Sequence, residues 1–185
     1  MAKKNLKVCL GVSAIFFIIV SIITIALIFT VFKPTDPNIV VHIAPYNFLS
    51  PDIAPNITLP LVVTMGNPNF GSFKFNNGFS YILYRETIVG IVPIGSHLVP
   101  PRSALNVSTH ANFMVGKLIE NPNFLIQDLP GMKFTLVSKA ELPGKVIILK
   151  LIKVKSMVTN LCEISVNMTS NHVESNCQSK LKMFT

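Results

Sequence analysis

Four histidines, eight acidic residues and three cysteines are the groups with which this 185-residue chain could do acid–base, metal or nucleophilic chemistry. Their spacing supports little of it. His42, His97, His110 and His172 are scattered, with no metal-ligand spacing such as HxxxH, so structural or surface histidines are expected and no metal. The carboxylates form no obvious catalytic pair in the sequence, although such pairs are often far apart along a chain. There is no GxSxG, no Gly-rich phosphate loop and no CxxC. The expectation is a protein without enzymatic activity and without a cofactor.

The remaining reactive positions suggest modification and contact. Cys162 and Cys177 lie symmetrically about a turn between Thr169 and Ser170, so they would face each other across a hairpin. A disulfide there would stabilise by about 3 kcal/mol in the chain-entropy model; two buried free thiols are the alternative. Asn56-Ile57-Thr58, Asn106-Val107-Ser108 and Asn167-Met168-Thr169 are N-glycosylation acceptors, little more than chance supplies. Lys145, Lys150, Lys153 and Lys155 interrupt an apolar run. Lys150, Lys153 and Lys155 are candidates for contact with an anionic surface. The simpler reading is lysines that guard an edge strand against aggregation. Cys9 is a candidate for lipidation at a membrane edge, or an unmodified thiol.

These groups must be positioned by elements, and the most legible is at the start. Residues 8–32, VCLGVSAIFFIIVSIITIALIFTVF, contain no charge. As a helix they would measure roughly 37 Å, enough to cross a bilayer core of about 30 Å with some tilt. A cleavable signal peptide would have a shorter apolar region and a small-x-small site, which Phe29-Thr30-Val31-Phe32-Lys33 does not offer. Lys3, Lys4 and Lys7 precede the segment, and the first acidic residue after it is Asp36. The lysine excess favours a cytosolic N-terminus, leaving the rest of the chain extracellular or lumenal. The net charge of +8 and pI near 9.6 would otherwise suggest nucleic acid. The anchor would separate the domain from it, so a lipid bilayer is the expected partner, with a further protein or lipid partner unidentified. The expected organisation is a cytosolic tail 1–7, a transmembrane helix 8–32, a proline-containing linker 33–38 and a domain 39–185.

Past Lys33-Pro34-Thr35-Asp36-Pro37, which ends the helix, the chain reads as short strands between turn signals. Strands are expected near 39–43, 59–65, 72–76, 79–84, 87–94, 104–115, 134–142, 145–155, 158–168 and 173–177. Residues 59–65 are apolar on both faces, as in a sheet buried between two layers. Asn76-Asn77-Gly78 and Pro143-Gly144 read as turns, Gly90 as a possible bulge, and 46–56 as a turn-rich stretch. No second helix is expected. Asn-Pro-Asn-Phe occurs at 67–70 and again at 121–124. The flanks LVVTMG/GSFKFNN and VGKLIE/LIQDLPG do not align, so this is no structural repeat but the same punctuation used twice in one domain.

The order of features is informative together: a lysine cluster and apolar span, a proline break, Asn67-Pro68-Asn69, Phe73-x-Phe75, Tyr81-x-x-Tyr84, Gly90 and the tail CEISVNMTSNHVESNCQSKLKM. Over almost its whole length the chain resembles the plant late-embryogenesis-abundant subgroup-2 domain proteins, including the harpin-induced-like and hydroxyproline-rich-glycoprotein-like membrane members. The second Asn-Pro-Asn-Phe has no counterpart in the family. The resemblance implies an all-β, immunoglobulin/fibronectin-III-like antiparallel β-sandwich, anchored in the plasma membrane or endomembranes. It implies non-enzymatic roles in stress and defence responses through a partner at the membrane surface. Similar domains keep lipid binding or transfer, in a groove between the sheets, as the alternative.

Overall fold

The computed structural model describes residues 2–31, 33–43, 55–148, 150–170 and 172–184, and within the first helix the side chains of residues 10–26. The chain divides into two units, Met1–Pro34 and Thr35–Thr185.

The first unit is one helix, α1 (Ala2–Val31), whose described side chains, 10–26, carry no charge. Among the described residues no helix is long and apolar enough to cross a membrane. Residues 8–31 of the expected span 8–32 lie in this helix.

The second unit is built from β1 (Asn38–Ile43), β2 (Ile57–Asn67), β3 (Ser72–Phe75), β4 (Gly78–Tyr84), β5 (Thr87–Ile94), β6 (His97–Val99), β7 (Ser103–Phe113), a short helix α2 (Val115–Ile119), β8 (Lys133–Ile148), β9 (Ile152–Asn167) and β10 (His172–Phe184). All pairings are antiparallel, and all ten strands join in one sheet. The order β1-β2-β7-β5-β4-β8 continues through β9 to β10, which returns beside β1. The expected antiparallel all-β class is present, as a single, nearly closed, barrel-like sheet. Long strands coil as they twist, and strands of 16 residues such as β8 and β9 wrap around a core instead of crossing one flat layer.

The closing seam carries no ladder among the described residues. Ser175 Oγ–H donates to the Val41 carbonyl at 3.1 Å and Leu181 N–H to the Asp36 carboxylate at 2.8 Å. Alternation puts one face of each strand inside. Leu59, Leu61, Val63 and Met65 of β2, Ala111 and Phe113 of β7, and Val158, Cys162, Ile164 and Val166 of β9 are all buried. Pro60 on the other face of β2 is exposed and Val62 and Thr64 are half-buried, so 59–65 is not covered on both faces as expected.

Three further details depart from the expectation. Pro143-Gly144 is not a turn but the point where β8 changes neighbour, from β4 (Ser80–Leu83) to β3 (Ser72–Phe75). Proline lacks a ladder donor there, and a Cβ on Gly144 would stand 2.4 Å from the Lys74 carbonyl oxygen, so only glycine lets β3 approach. The expected strand 145–155 is instead the end of β8, a turn, and the start of β9. The segment after β7, expected to lack helix, holds α2 and a wide π-type turn, Phe124–Asp128, in which Leu129 N–H reaches back to the Phe124 carbonyl at 2.8 Å. The bulge expected at Gly90 lies beside it: Ile82 pairs with Gly90 but Leu83 with Ile88, leaving Val89 extra. The turn-rich reading of 46–56 falls almost wholly outside the described residues.

Candidate functional site

The barrel lumen is an apolar cavity of about 80 Å³, lined by inward side chains of β1, β2, β4, β5 and β7–β10. A small polar group interrupts it. Ser80 and Ser138 Oγ lie 2.7 Å apart, and Asn160 Nδ2–H donates to Ser179 Oγ at 2.8 Å. These groups satisfy one another, as buried polar atoms must. They were not anticipated; the signal was a polar residue in the inward phase of an otherwise apolar alternation, Val158-x-Asn160-x-Cys162-x-Ile164.

The end of the barrel where the chain enters is organised by the first Asn-Pro-Asn. Asn67 is buried at the end of β2, and its Nδ2 donates toward the carbonyls of Gly71 (2.8 Å), Pro100 (3.0 Å) and Val99 (3.3 Å). Its Oδ1 accepts from Asn69 N–H at 3.1 Å. Asn69 in turn clasps Thr35 backbone on both sides, Oδ1 from Thr35 N–H and Nδ2 to Thr35 O, each at 2.7 Å. One tetrapeptide thus ties together the chain's point of arrival, the β2–β3 connection and the loop before β7. In the second copy, Asn121 Oδ1 accepts from Asn123 N–H at 3.0 Å, which is the same turn.

At the opposite end lies a polar cleft of about 590 Å³, lined among others by Arg85, Lys133, Ser165, His172 and Glu174. The Tyr84 ring is buried and its hydroxyl donates to the Asp128 carboxylate at the rim. Burial of the ring, then the bond and charge of Asp128, raise the Tyr84 pKa above the ordinary 10.0. Asp128 is therefore committed to Tyr84, and the arrangement is a structural latch between β4 and the π-type turn.

The predicted positions distribute as follows. Cys162 and Cys177 are register partners bonded as a disulfide, with Cα atoms 4.0 Å apart. Asn56 and Asn106 are exposed; Asn167 is half-buried and its Oδ1 accepts from the N–H groups of Thr169 and Ser170. His42, His110 and His172 are exposed and His97 half-buried, and no group of three potential metal ligands occurs among the described residues. Lys153 and Lys155 are exposed on one face of β9, and Lys150 sits in the turn before it. The side chain of Cys9 lies outside the described residues.

No protein-family model and no curated protein matches the chain. Several solved structures are distantly similar. A crystal structure of a protein from Archaeoglobus fulgidus is 11% identical, with TM-score 0.40, over 82% of this chain and 97% of that one. A FixG-related protein from Vibrio parahaemolyticus is 10% identical, with TM-score 0.30, over 79% and 95%. The solution structure of a "putative late embryogenesis abundant (LEA) protein" is 17% identical, with TM-score 0.29, over 72% of each chain.

Proposed function

We propose that the chain is a single-pass membrane protein of the late-embryogenesis-abundant subgroup-2 kind, with a cytosolic N-terminus. Its extracellular or lumenal β-domain acts without catalysis, binding a partner at the membrane surface in stress or defence responses. The observation that carries this reading is the uncharged run 8–32 behind three lysines, followed by the ordered family features of the β-domain. In this reading the barrel is the family's immunoglobulin/fibronectin-III-like domain with its layers joined. The β5–β7 ladder, only Gly90–Phe113 and Ile91–Asn112, would mark the junction of the two layers. The test is a glycosidase mobility shift on the expressed chain, with Asn56, Asn106 and Asn167 each changed to Gln. Loss of a shift at any of them supports an extracellular or lumenal domain. No shift, with full protease access from the cytosol, sinks the topology.

Lipid binding in the lumen is the second reading, favoured by the apolar lining and by a seam closed without a ladder. The cavity of about 80 Å³ is far below the roughly 300 Å³ at which ligand pockets begin, so a lipid would have to part β1 from β10. Photocrosslinkable lipid labelling no better than a control β-domain would count against it.

A further inference from the structure

Positive charge is concentrated at the end of the barrel where the chain enters. Lys74 of β3, Lys145 of β8 and Lys155 of β9 are successive register partners, so they stand in one row on the outer face. Cross-strand partners lie about 4.5–5.5 Å apart at Cβ, and like charges so placed repel. Lys153 extends the same face by one pleat, and Lys150 occupies the turn beyond. None of the five is ion-paired among the described residues. Asp36 is the acidic residue described at this end, and it is engaged by Leu181 N–H. The carboxylates of Glu86, Glu120, Asp128 and Glu174 belong to the segments of the opposite end, and Glu141 and Glu163 stand further along the same outer faces, four residues from Lys145 on β8 and eight from Lys155 on β9.

The row leads to an apolar tip. The β8–β9 turn is closed by Leu151 N–H on the Ile148 carbonyl at 3.1 Å, with Lys150 in the left-handed region at φ 63°. Leu151 is 83% exposed and Ile152 56%. The tip is thus aliphatic and exposed, with lysines that lack ion-pair partners on the face leading to it. It suits an interface that takes alkyl groups below and phosphates around them.

We propose that the β8–β9 tip is a docking element for an anionic bilayer, with Leu151 and Ile152 entering the headgroup boundary and Lys74, Lys145, Lys150, Lys153 and Lys155 holding anionic headgroups. The proposal rests on the membrane-anchored reading for its setting. In an anchored chain, three residues, 32–34, separate the end of α1 from Thr35, a reach of about 10 Å. Thr35 is held by Asn69 at this same end of the barrel.

The protein contains no tryptophan, so Leu151→Trp gives a unique reporter and Ile126→Trp, 75% exposed in the π-type turn of the opposite end, its control. The full chain is mixed with or reconstituted into vesicles of neutral phosphatidylcholine, with and without phosphatidylserine, and with brominated lipid as quencher. The expected result is a blue shift and quenching of L151W in anionic vesicles, weakened by salt, absent in neutral vesicles and absent for I126W. Combined Lys145→Gln, Lys153→Gln and Lys155→Gln should abolish it. Lys150→Gly, which relieves the left-handed backbone while removing the charge, should weaken it without loss of fold. An unchanged L151W spectrum in anionic vesicles overturns the proposal, as does a shift produced by soluble polyphosphate without brominated-lipid quenching. Flotation with neutral vesicles separates the two readings. A chain that floats without the L151W response keeps its anchor and loses the tip. A chain that does not float yet shows the response keeps the tip and loses the anchor.

Discussion

The two Asn-Pro-Asn-Phe segments begin alike and end differently. In each, the first asparagine accepts the N–H of the second, at 3.1 Å in 67–70 and 3.0 Å in 121–124. After Pro68 the chain runs into β3 at Ser72. After Pro122 it turns helical at once, the Asn121 carbonyl accepting from Phe124 N–H at 3.0 Å, as proline at a first helical position allows. The weight of each segment also falls on a different residue. In the first, Asn67 is buried and Phe70 is 43% exposed, lying under the Arg102 guanidinium at 4.2 Å. In the second, Asn121 is half-buried and Phe124 is 4% exposed, packed edge-on to both Tyr84 and Phe134. Local chemistry specifies the turn; the surroundings decide which of its side chains the fold depends on.

That contrast can be broken by alanine at each position, read as thermal and denaturant unfolding. The largest loss is expected for Phe124→Ala, about 3–5 kcal/mol for a buried aromatic. Phe70→Ala should cost no more than about 1 kcal/mol, the worth of an exposed cation–π contact; equal losses would dissolve the comparison. Asn67→Ala should follow at about 3 kcal/mol, because several buried backbone groups lose their partner at once, a fall of about 6–12 °C in Tm for a domain of this size. Asn121→Ala should cost about 1 kcal/mol or less, the range of a helix cap.

Asn69→Ala is expected to cost about 1 kcal/mol and to raise hydrogen exchange at Thr35 selectively; unchanged exchange there would mean that the clasp does not hold the arriving chain. The smallest effect concerns pH. Burial and Asp128 raise the Tyr84 pKa in the folded state. That contribution is fully present below the unfolded value near 10 and is lost as pH rises through the folded pKa. Tyr84→Phe should therefore flatten the alkaline fall in stability above about pH 10 and change little at neutral pH. An unaltered alkaline limb would show that the Tyr84–Asp128 latch does not carry it.

Much of the β-domain was legible because strand alternation is a local property. Leu105, Val107, Thr109, Ala111 and Phe113 occupy every second position of β7 and share its inner face, as the period of a strand dictates, and the register of Cys162 with Cys177 follows from hairpin symmetry. What failed was every inference needing knowledge of a distant strand. Pro143-Gly144 reads as a turn in isolation, and only the arrival of β3 at the Lys74 carbonyl makes it the place where β8 changes neighbour. Two layers or one wrapped sheet cannot be distinguished by alternation, since both bury one face.

The candidate sites divide in the same way. Lys150, Lys153 and Lys155 could be nominated from the sequence, because a lysine in an apolar run is visible there. Their alignment with Lys145 and Lys74 was not, because it depends on the register of three strands up to 81 residues apart, Lys74 to Lys155. By itself the sequence determined an apolar N-terminal helix, a β-domain and the facing positions of Cys162 and Cys177, since each follows from residue type and short-range spacing. Only the tertiary structure decided that the strands close into one sheet around a small lumen, that Asn67 and Phe124 are the residues on which the two turns depend, and that the lysines converge on one apolar tip. Those outcomes are set by contacts between strands far apart in the chain, which no local pattern encodes.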